Sequence, residues 1–262
     1  MFDHILVDRV GAVGRIIFNR PEVLNAISPK TFDEVKMGLA ELEADDKVRS
    51  ILIAGKGPSF SAGGDKKFLA DMQDASAVEV KENVYKYFAG GVKAVKLCPK
   101  PTVVAVRGHA VGAGCELTLA CDFRIASETA KFTEVWVKLG LTIPLGGLFL
   151  LPRIVGLTKA TEMVLTGRTV EAEEAERIGL VNKVVPDDKL EEESMALAEE
   201  LAAGPPLAMA AIKDALRRGM EGHLTDEMDY SMFNQAMLIS AGDYKEGLAA
   251  MIERRKPNFK GE

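Results

Sequence analysis

Residues 102–121 read Thr102-Val-Val-Ala-Val-Arg-Gly-His-Ala-Val-Gly-Ala-Gly-Cys-Glu-Leu-Thr-Leu-Ala-Cys121. Thr102 to Val106 is a short β-branched run, the composition of a strand covered on both faces. Gly108 to Gly114 is a glycine-rich turn, and the segment from Cys115 to Cys121 reads as the helix it enters. The same order of strand, glycine loop and helix occurs upstream. There Val48 to Ala54 is a buried strand, and Gly55-Lys-Gly-Pro-Ser-Phe-Ser-Ala-Gly-Gly-Asp65 leads into another helix. Repetition of that unit predicts an α/β fold.

Outward from this pair, Ile5 to Phe18 alternates around Gly11-Ala-Val-Gly14 as a hairpin does. Phe32, Val35, Leu39 and Leu42 recur at helical spacing within Thr31 to Glu43, and Ser28-Pro29 supplies the cap and first turn. Val78 to Leu97 is helical in composition and ends at Pro99 and Pro101; Phe123 to Ala126 is a strand. Leu148 to Arg153 and Lys159 to Thr166 read as helices, and Gly179 to Val185 as the last strand. Beyond Pro186 the pattern is helical, broken at Gly204-Pro-Pro206 and near Gly219 to His223. The expected organisation is a core over residues 1–203 with a helical region over 204–262. Met228, Met232, Phe233, Met237 and Leu238 form an apolar stripe in that region, packed either on the parent domain or on another subunit.

The 262 residues are 47% apolar and 27% charged, which excludes a disordered or fibrous chain. A net charge of −6 argues against a broad nucleic-acid surface. The longest stretch free of charge, Leu139 to Pro152, is shorter than the roughly 20 residues that span a bilayer. No signal peptide is readable at the amino terminus, so a cytoplasmic protein with no membrane partner is expected. Cys98, Cys115 and Cys121 suit no disulfide framework, and His4, His109 and His223 are scattered, so no metal site is expected.

The glycine loops match neither a P-loop nor a dinucleotide fingerprint, and no GxSxG is present. What remains is two turns, each leaving an apolar strand and entering a helix, with a carboxylate, Glu116, one turn into the second helix. Backbone N–H groups at helix N-termini can hold a developing oxyanion, and small residues let a carbonyl approach closely.

Arg20-Pro-Glu-Val-Leu-Asn-Ala26, Phe60-Ser-Ala-Gly-Gly-Asp65, Gly108 to Leu117, Ala120-Cys-Asp122, Lys138-Leu-Gly-Leu141, Leu151-Pro-Arg153 and Gly179-Leu-Val-Asn182 together resemble the crotonase (enoyl-CoA hydratase/isomerase) superfamily. The resemblance runs in order along the whole chain to Lys260. It implies a crotonase-like spiral of ββα turns with a helical C-terminal trimerisation region, assembled as a homotrimer or a dimer of trimers. It implies an acyl-CoA substrate, with coenzyme A entering as the thioester and no separate cofactor. The amides of Gly64 and Ala113 fall at the oxyanion hole and Glu116 at the first catalytic glutamate. Val23, Leu24, Ala26, Ala62, Gly63 and Asp65 fall in the coenzyme A cradle, Lys67 and Lys260 near its phosphates, and Phe259 near adenine from a neighbouring subunit. Asp65 also reads as a helix cap, and His109 as a strand-end residue beside the pocket.

The family's second glutamate position is occupied here by Trp136, and Pro144 and Leu145 stand where related isomerases carry an aspartate. An indole cannot act as a base, so hydration by a carboxylate pair is not implied. Trp136, Phe68 and Leu141 are expected to line the acyl pocket, and with Phe149 they hint at a bulky acyl limit. Glu134 is read as a surface carboxylate, with a catalytic role as the alternative. The leading expectation is hydratase or isomerase chemistry with one glutamate. The alternatives are a thioester hydrolase or decarboxylase on the same fold, and a non-catalytic acyl-CoA binder.

Overall fold

The structure, a computed structural model, describes residues 2–262. Its main sheet has six strands: β1 (Ile5–Val10), β2 (Val13–Phe18), β3 (Ser50–Gly55), β4 (Thr102–Val106), β6 (Phe123–Ser127) and β9 (Lys183–Val185), adjacent in that order. β1 and β2 form the expected antiparallel hairpin, and every later pairing in this sheet is parallel. A second sheet of β5 (His109–Val111), β7 (Lys131–Thr133) and β8 (Thr169–Glu171) stands apart from it. The glycine-rich turn after β4 therefore contains a strand that composition alone conceals. The last strand is also shorter than expected, because Gly179 turns at φ 76° and Asn182 instead receives and returns bonds with Arg124.

Among the described residues there are twelve α-helices. They are α1 (Pro29–Ala44), α2 (Lys66–Asp71), α3 (Ala77–Asn83), α4 (Gly90–Leu97), α5 (Ala113–Ala120) and α6 (Gly147–Val155). The rest are α7 (Leu157–Thr166), α8 (Ala172–Arg177), α9 (Leu190–Ala202), α10 (Pro206–Glu221), α11 (Leu224–Ile239) and α12 (Gly242–Glu253). α1 starts where the cap was read, with Ser28 and Thr31 closing a reciprocal capping box.

Successive residues of a strand face opposite sides of its sheet, and here both sides are covered. Ile51, Ile53, Val104 and Val106 enter a core beneath α1, α4 and α5, with Phe32, Val35 and Leu117. Leu52, Val103, Ala105 and Ile125 face the other way, onto Leu190, Ala198 and Ala202 of α9. Each fully buried large side chain contributes about 1.5–3 kcal/mol. This two-sided burial fixes the strand ends, and the loops leaving β3 and β4 are held in place from below.

The C-terminal helices are different. Met228, Met232, Phe233 and Met237 on α11 are exposed, which overturns packing of this stripe on the parent domain. No single helix among the described residues is long and apolar enough to cross a membrane.

Candidate active site

The loop after β3 and the loop after β4 run side by side. Ser61 N–H donates to His109 O at 2.8 Å, Val111 N–H returns to Ser61 O at 3.1 Å, and Phe60 N–H reaches Arg107 O at 2.7 Å. Close approach demands glycine at two points. A Cβ on Gly63, whose φ is +90°, would stand 2.7 Å from Val111 O, and one on Gly114 would stand 2.7 Å from Ser61 Cβ. The first turn of α5 is therefore pressed against the first loop. Gly64 N–H and Ala113 N–H, one from each loop, have no hydrogen-bond partner among the described residues. At Ala113 this follows from its place at the first position of α5, where an amide has no carbonyl within the helix.

The segment from Val23 to Ile27 lies against the first loop. Ala62 N–H donates to Leu24 O, Ile27 N–H to Gly63 O and Asp65 N–H to Ile27 O, at 2.7–2.8 Å. Leu24 and Asn25 adopt positive φ, 51° and 55°, and Asn25 stabilises that conformation by its buried amide. It donates to Lys56 O and Ser59 O and accepts from Arg20 N–H. The structure thus brings Val23, Leu24, Ala26, Ala62, Gly63 and Asp65 together on one rim. Asp65 caps α2 through Lys67 N–H and pairs with Arg20 at 2.9 Å. Burial works against ionisation of Asp65, but Arg20 and the α2 amides outweigh it and hold the carboxyl below its usual range. Its carboxylate is committed to structure, whereas Lys67 is exposed.

Beside these loops opens a cavity of about 800 Å³. Gly64, Phe68, Trp136, Leu141 and Leu145 line it, together with Tyr85 and Phe88. Phe68 and Phe88 are stacked with ring centroids 5.0 Å apart. Phe149 is not in this wall; its ring lies under the Arg153 guanidinium at 3.6 Å, turned away by the helical phase of α6. His109 is exposed on β5 and does not line the cavity. Phe259 and Lys260 are not brought to it either. Phe259 packs beside Gly247 while its carbonyl accepts from Arg49, and Lys260 N–H donates to Asp243.

Glu116 lies beneath the cavity and is 0% exposed. Its Oε2 accepts the N–H of Leu145 at 3.0 Å and of Gly147 at 2.7 Å, the latter opening α6, while Oε1 has no partner. Glu134 is a correction to the sequence reading: it is 0% exposed, not a surface carboxylate. β5 and β7 pair so that Gly112 N–H binds Thr133 O at 2.8 Å, which tucks Glu134 against the first turn of α5. Trp136 closes the group, its ring 3.6 Å from where a Gly112 Cβ would be.

Burial raises the Glu116 pKa well above the carboxylate range, and the charge of Glu134 adds to it. The Gly147 and Leu145 amides and the Trp136 indole pull the other way. Burial also pushes Glu134 up to about 7 against the opposing influence of Cys115 and Trp136. Trp136 Nε1 makes no formed hydrogen bond, yet its N–H dipole is near enough to act on both carboxyls. Sequence reasoning missed Asn25, the Leu145 and Gly147 amides and the burial of Glu134. None of these had a readable signal, since the three-residue strand before Glu134 and the approach of α6 to α5 appear only in the structure.

A mainly parallel sheet and a second small sheet among short helices form the crotonase fold, shared with solved enoyl-CoA hydratases. The profile of the enoyl-CoA hydratase/isomerase family matches residues 8–262. A probable enoyl-CoA hydratase of Mycobacterium tuberculosis is 40% identical over 262 residues, with 98% of each chain covered. The 1,2-epoxyphenylacetyl-CoA isomerase of Escherichia coli is 32% identical over 262 residues, with 100% of each chain covered. The crystal structure of an enoyl-CoA hydratase from Bacillus anthracis superimposes with a TM-score of 0.93 at 33% identity, covering 99% of this chain and 100% of that one. The chain belongs to the enoyl-CoA hydratase/isomerase family.

Proposed function

We propose that the protein binds an acyl-CoA thioester and shifts a proton along its acyl chain. The thioester oxygen lies between the Gly64 and Ala113 amides, and Glu116 Oε1 takes a proton from the α-carbon. The Cα–H bond breaks, an O–H bond forms on Glu116, and the electron pair passes to the thioester oxygen as an enolate. Return of that proton at the γ-carbon moves the double bond. Each oxyanion donor is worth about 3 kcal/mol, or a hundredfold to thousandfold in rate. A buried base whose pKa is raised above the carboxylate range suits this transfer.

One observation carries the reading. Glu116 has one oxygen anchored by two amides and the other free, beside two unpaired N–H groups from neighbouring loops. Proton shift is favoured over hydration because the resemblance puts Trp136 where a second carboxylate would hold water, and an indole cannot act as a base; the names of relatives include both a hydratase and an isomerase. The aromatic wall and the cavity volume favour a bulky acyl group. Coenzyme A would run along the rim from Val23 to Ala26 and Ala62 to Asp65, with Lys67 near its phosphates. The exposed α11 face would close a homotrimer in which Phe259 and Lys260 serve a neighbour's site.

The test is incubation with crotonyl-CoA and a 3-enoyl-CoA in heavy water, followed by NMR and mass spectrometry. Double-bond movement with carbon-bound deuterium and little hydroxyacyl product is expected, and Glu116→Gln should slow it by roughly 10²–10⁴-fold. Release of free CoA or carbon dioxide without exchange would assign hydrolase or decarboxylase chemistry. Binding without any reaction would leave a non-catalytic acyl-CoA protein.

A further inference from the structure

Four buried side-chain atoms without a hydrogen-bond partner belong to one group: Glu116 Oε1, both carboxyl oxygens of Glu134, and Trp136 Nε1. Unsatisfied buried polar atoms are costly, and such a concentration marks chemistry more readily than packing. Glu134 lies two residues before Trp136, where the family resemblance implies a second glutamate, so it is no simple relocation of a second water-holding carboxylate.

We propose that Glu134 is a positioning residue for Glu116: the two buried carboxyls hold one proton between them, and this sharing sets the pH at which Glu116 becomes a base. The inference rests on the role proposed above for Glu116. No lysine, arginine or histidine pairs with either carboxyl. Two uncompensated negative charges in one desolvated space repel strongly, so the pair carries a single charge.

The hydrogen bonds say where that charge rests. Glu116 Oε2 accepts two backbone N–H groups, which favour its ionised form, whereas Glu134 accepts none. The charge is therefore drawn to Glu116 without leaving Glu134 altogether, and whenever it rests on Glu134 its repulsion holds the proton on Glu116. When Glu116 takes the α-proton both carboxyls are neutral, and the single negative charge has moved to the enolate oxygen. Reprotonation of carbon returns the charge to Glu116. An ionised Glu134 would instead stand beside a charged base and a developing enolate.

The other titratable groups around β7 act elsewhere. Cys115 and Glu116 face Glu134 from α5. His109 on β5 is exposed, Glu171 on β8 pairs with Lys131 at 3.3 Å, and Glu174 on α8 is held by Arg168 at 2.7 Å. Burial lifts both members of the pair out of the carboxylate range.

The test is a ¹³C NMR titration of glutamate side-chain carbons in the full-length protein, wild type, Glu134→Gln and Glu116→Gln, with thermal melting to confirm folding. Wild type should show two coupled steps above the ordinary range. Glu134→Gln should leave one step, assigned to Glu116, lower by about one pH unit or more. Glu116→Gln should leave one step assigned to Glu134. A Glu116 step that stays within about 0.3 unit in folded Glu134→Gln would overturn the pairing. The titration needs no turnover, so a shifted step in a protein that exchanges no enoyl-CoA would sink the proposed reaction and keep the pair. Where exchange occurs, its rising pH limb should move with the NMR step. A limb that stays fixed would remove Glu134 from the chemistry.

Discussion

Gly147 donates its N–H to Glu116 Oε2 at 2.7 Å, and a Cβ on Gly147 would stand 3.0 Å from that same oxygen and 2.8 Å from Ile143 Cγ2. The contact that orients the carboxylate also forbids a larger residue. Gly147→Ala keeps the donor, and its backbone is not in the left-handed region. The methyl group displaces the carboxylate by a fraction of an ångström. Misplacement on that scale is expected to lower kcat by roughly ten- to a hundredfold with KM within about twofold. Steady-state kinetics with the thioester found active would check it.

Ala113 allows its amide to be removed without breaking a helix. Proline is tolerated at the first helical position, where the N–H has no intrahelical partner. Gly112, at φ 49° and ψ −114°, lies outside the helical region that proline disfavours in the preceding residue. Ala113→Pro is expected to lower kcat/KM by about 10²–10³-fold with the far-UV circular dichroism unchanged. Ala113→Gly, which keeps the N–H, is expected to retain most activity. Equal losses in the two would exclude the amide as the cause.

These two positions differ in how far sequence exposes them. The expectation for Ala113 comes from the family resemblance carried by the contiguous stretch Gly108 to Leu117, while the helix itself starts two residues earlier than its composition suggests. Gly147 as an anchor of Glu116 could not be placed, because the bond spans 31 residues and depends on how α6 packs on α5. The buried strands of the main sheet are legible in composition, because Ile51 to Ile53 and Val103 to Val106 are apolar without a break, as strands covered on both faces must be, whereas their parallel pairing comes from the structure. The second sheet is not legible, since three-residue strands such as β5 carry too little periodicity to read. Glu134 misled because a glutamate is usually solvated, and only the β5–β7 register shows that solvent cannot reach it.

Burial of Glu134 has a consequence for stability. Its pKa rises from 4.5 to about 7 on folding, so the folded chain binds more protons than the unfolded chain between those values. Stability from this group is full below pH 4.5 and declines as pH rises toward and through 7. Glu134→Gln removes the decline. Urea denaturation at pH 5 and pH 8 is expected to show a smaller loss in the variant than in wild type, and an equal loss would contradict burial of an ionisable Glu134.

Trp136 lines the cavity next to Glu116, and burial is the largest cause of the raised Glu116 pKa. Trp136→Ala admits water to the carboxyl. The rising limb of the pH profile should move to lower pH by about one unit. Hydroxyacyl-CoA should rise relative to the shifted double bond, because water can then reach the β-carbon. Product NMR at several pH values separates this from a simple loss of packing, which would lower all products together.

On α11, Leu224, Met228 and Met232 follow one another at intervals of four residues, and Phe233 and Met237 repeat that interval beside them. Phe233 is 67% exposed and Met232 71%. A continuous apolar face of this kind is costly in water and marks an interface. Phe233→Asp combined with Met232→Lys is expected to convert the proposed trimer to a monomer in light scattering after size exclusion. Phe259 lies away from the cavity of its own chain, held by its carbonyl to Arg49. If it serves a neighbour's coenzyme A site, the same double variant should raise KM for the thioester while Phe259→Ala in the intact trimer raises it similarly. A monomeric variant with unchanged KM would leave the rim from Val23 to Asp65 to hold coenzyme A without a neighbour's help.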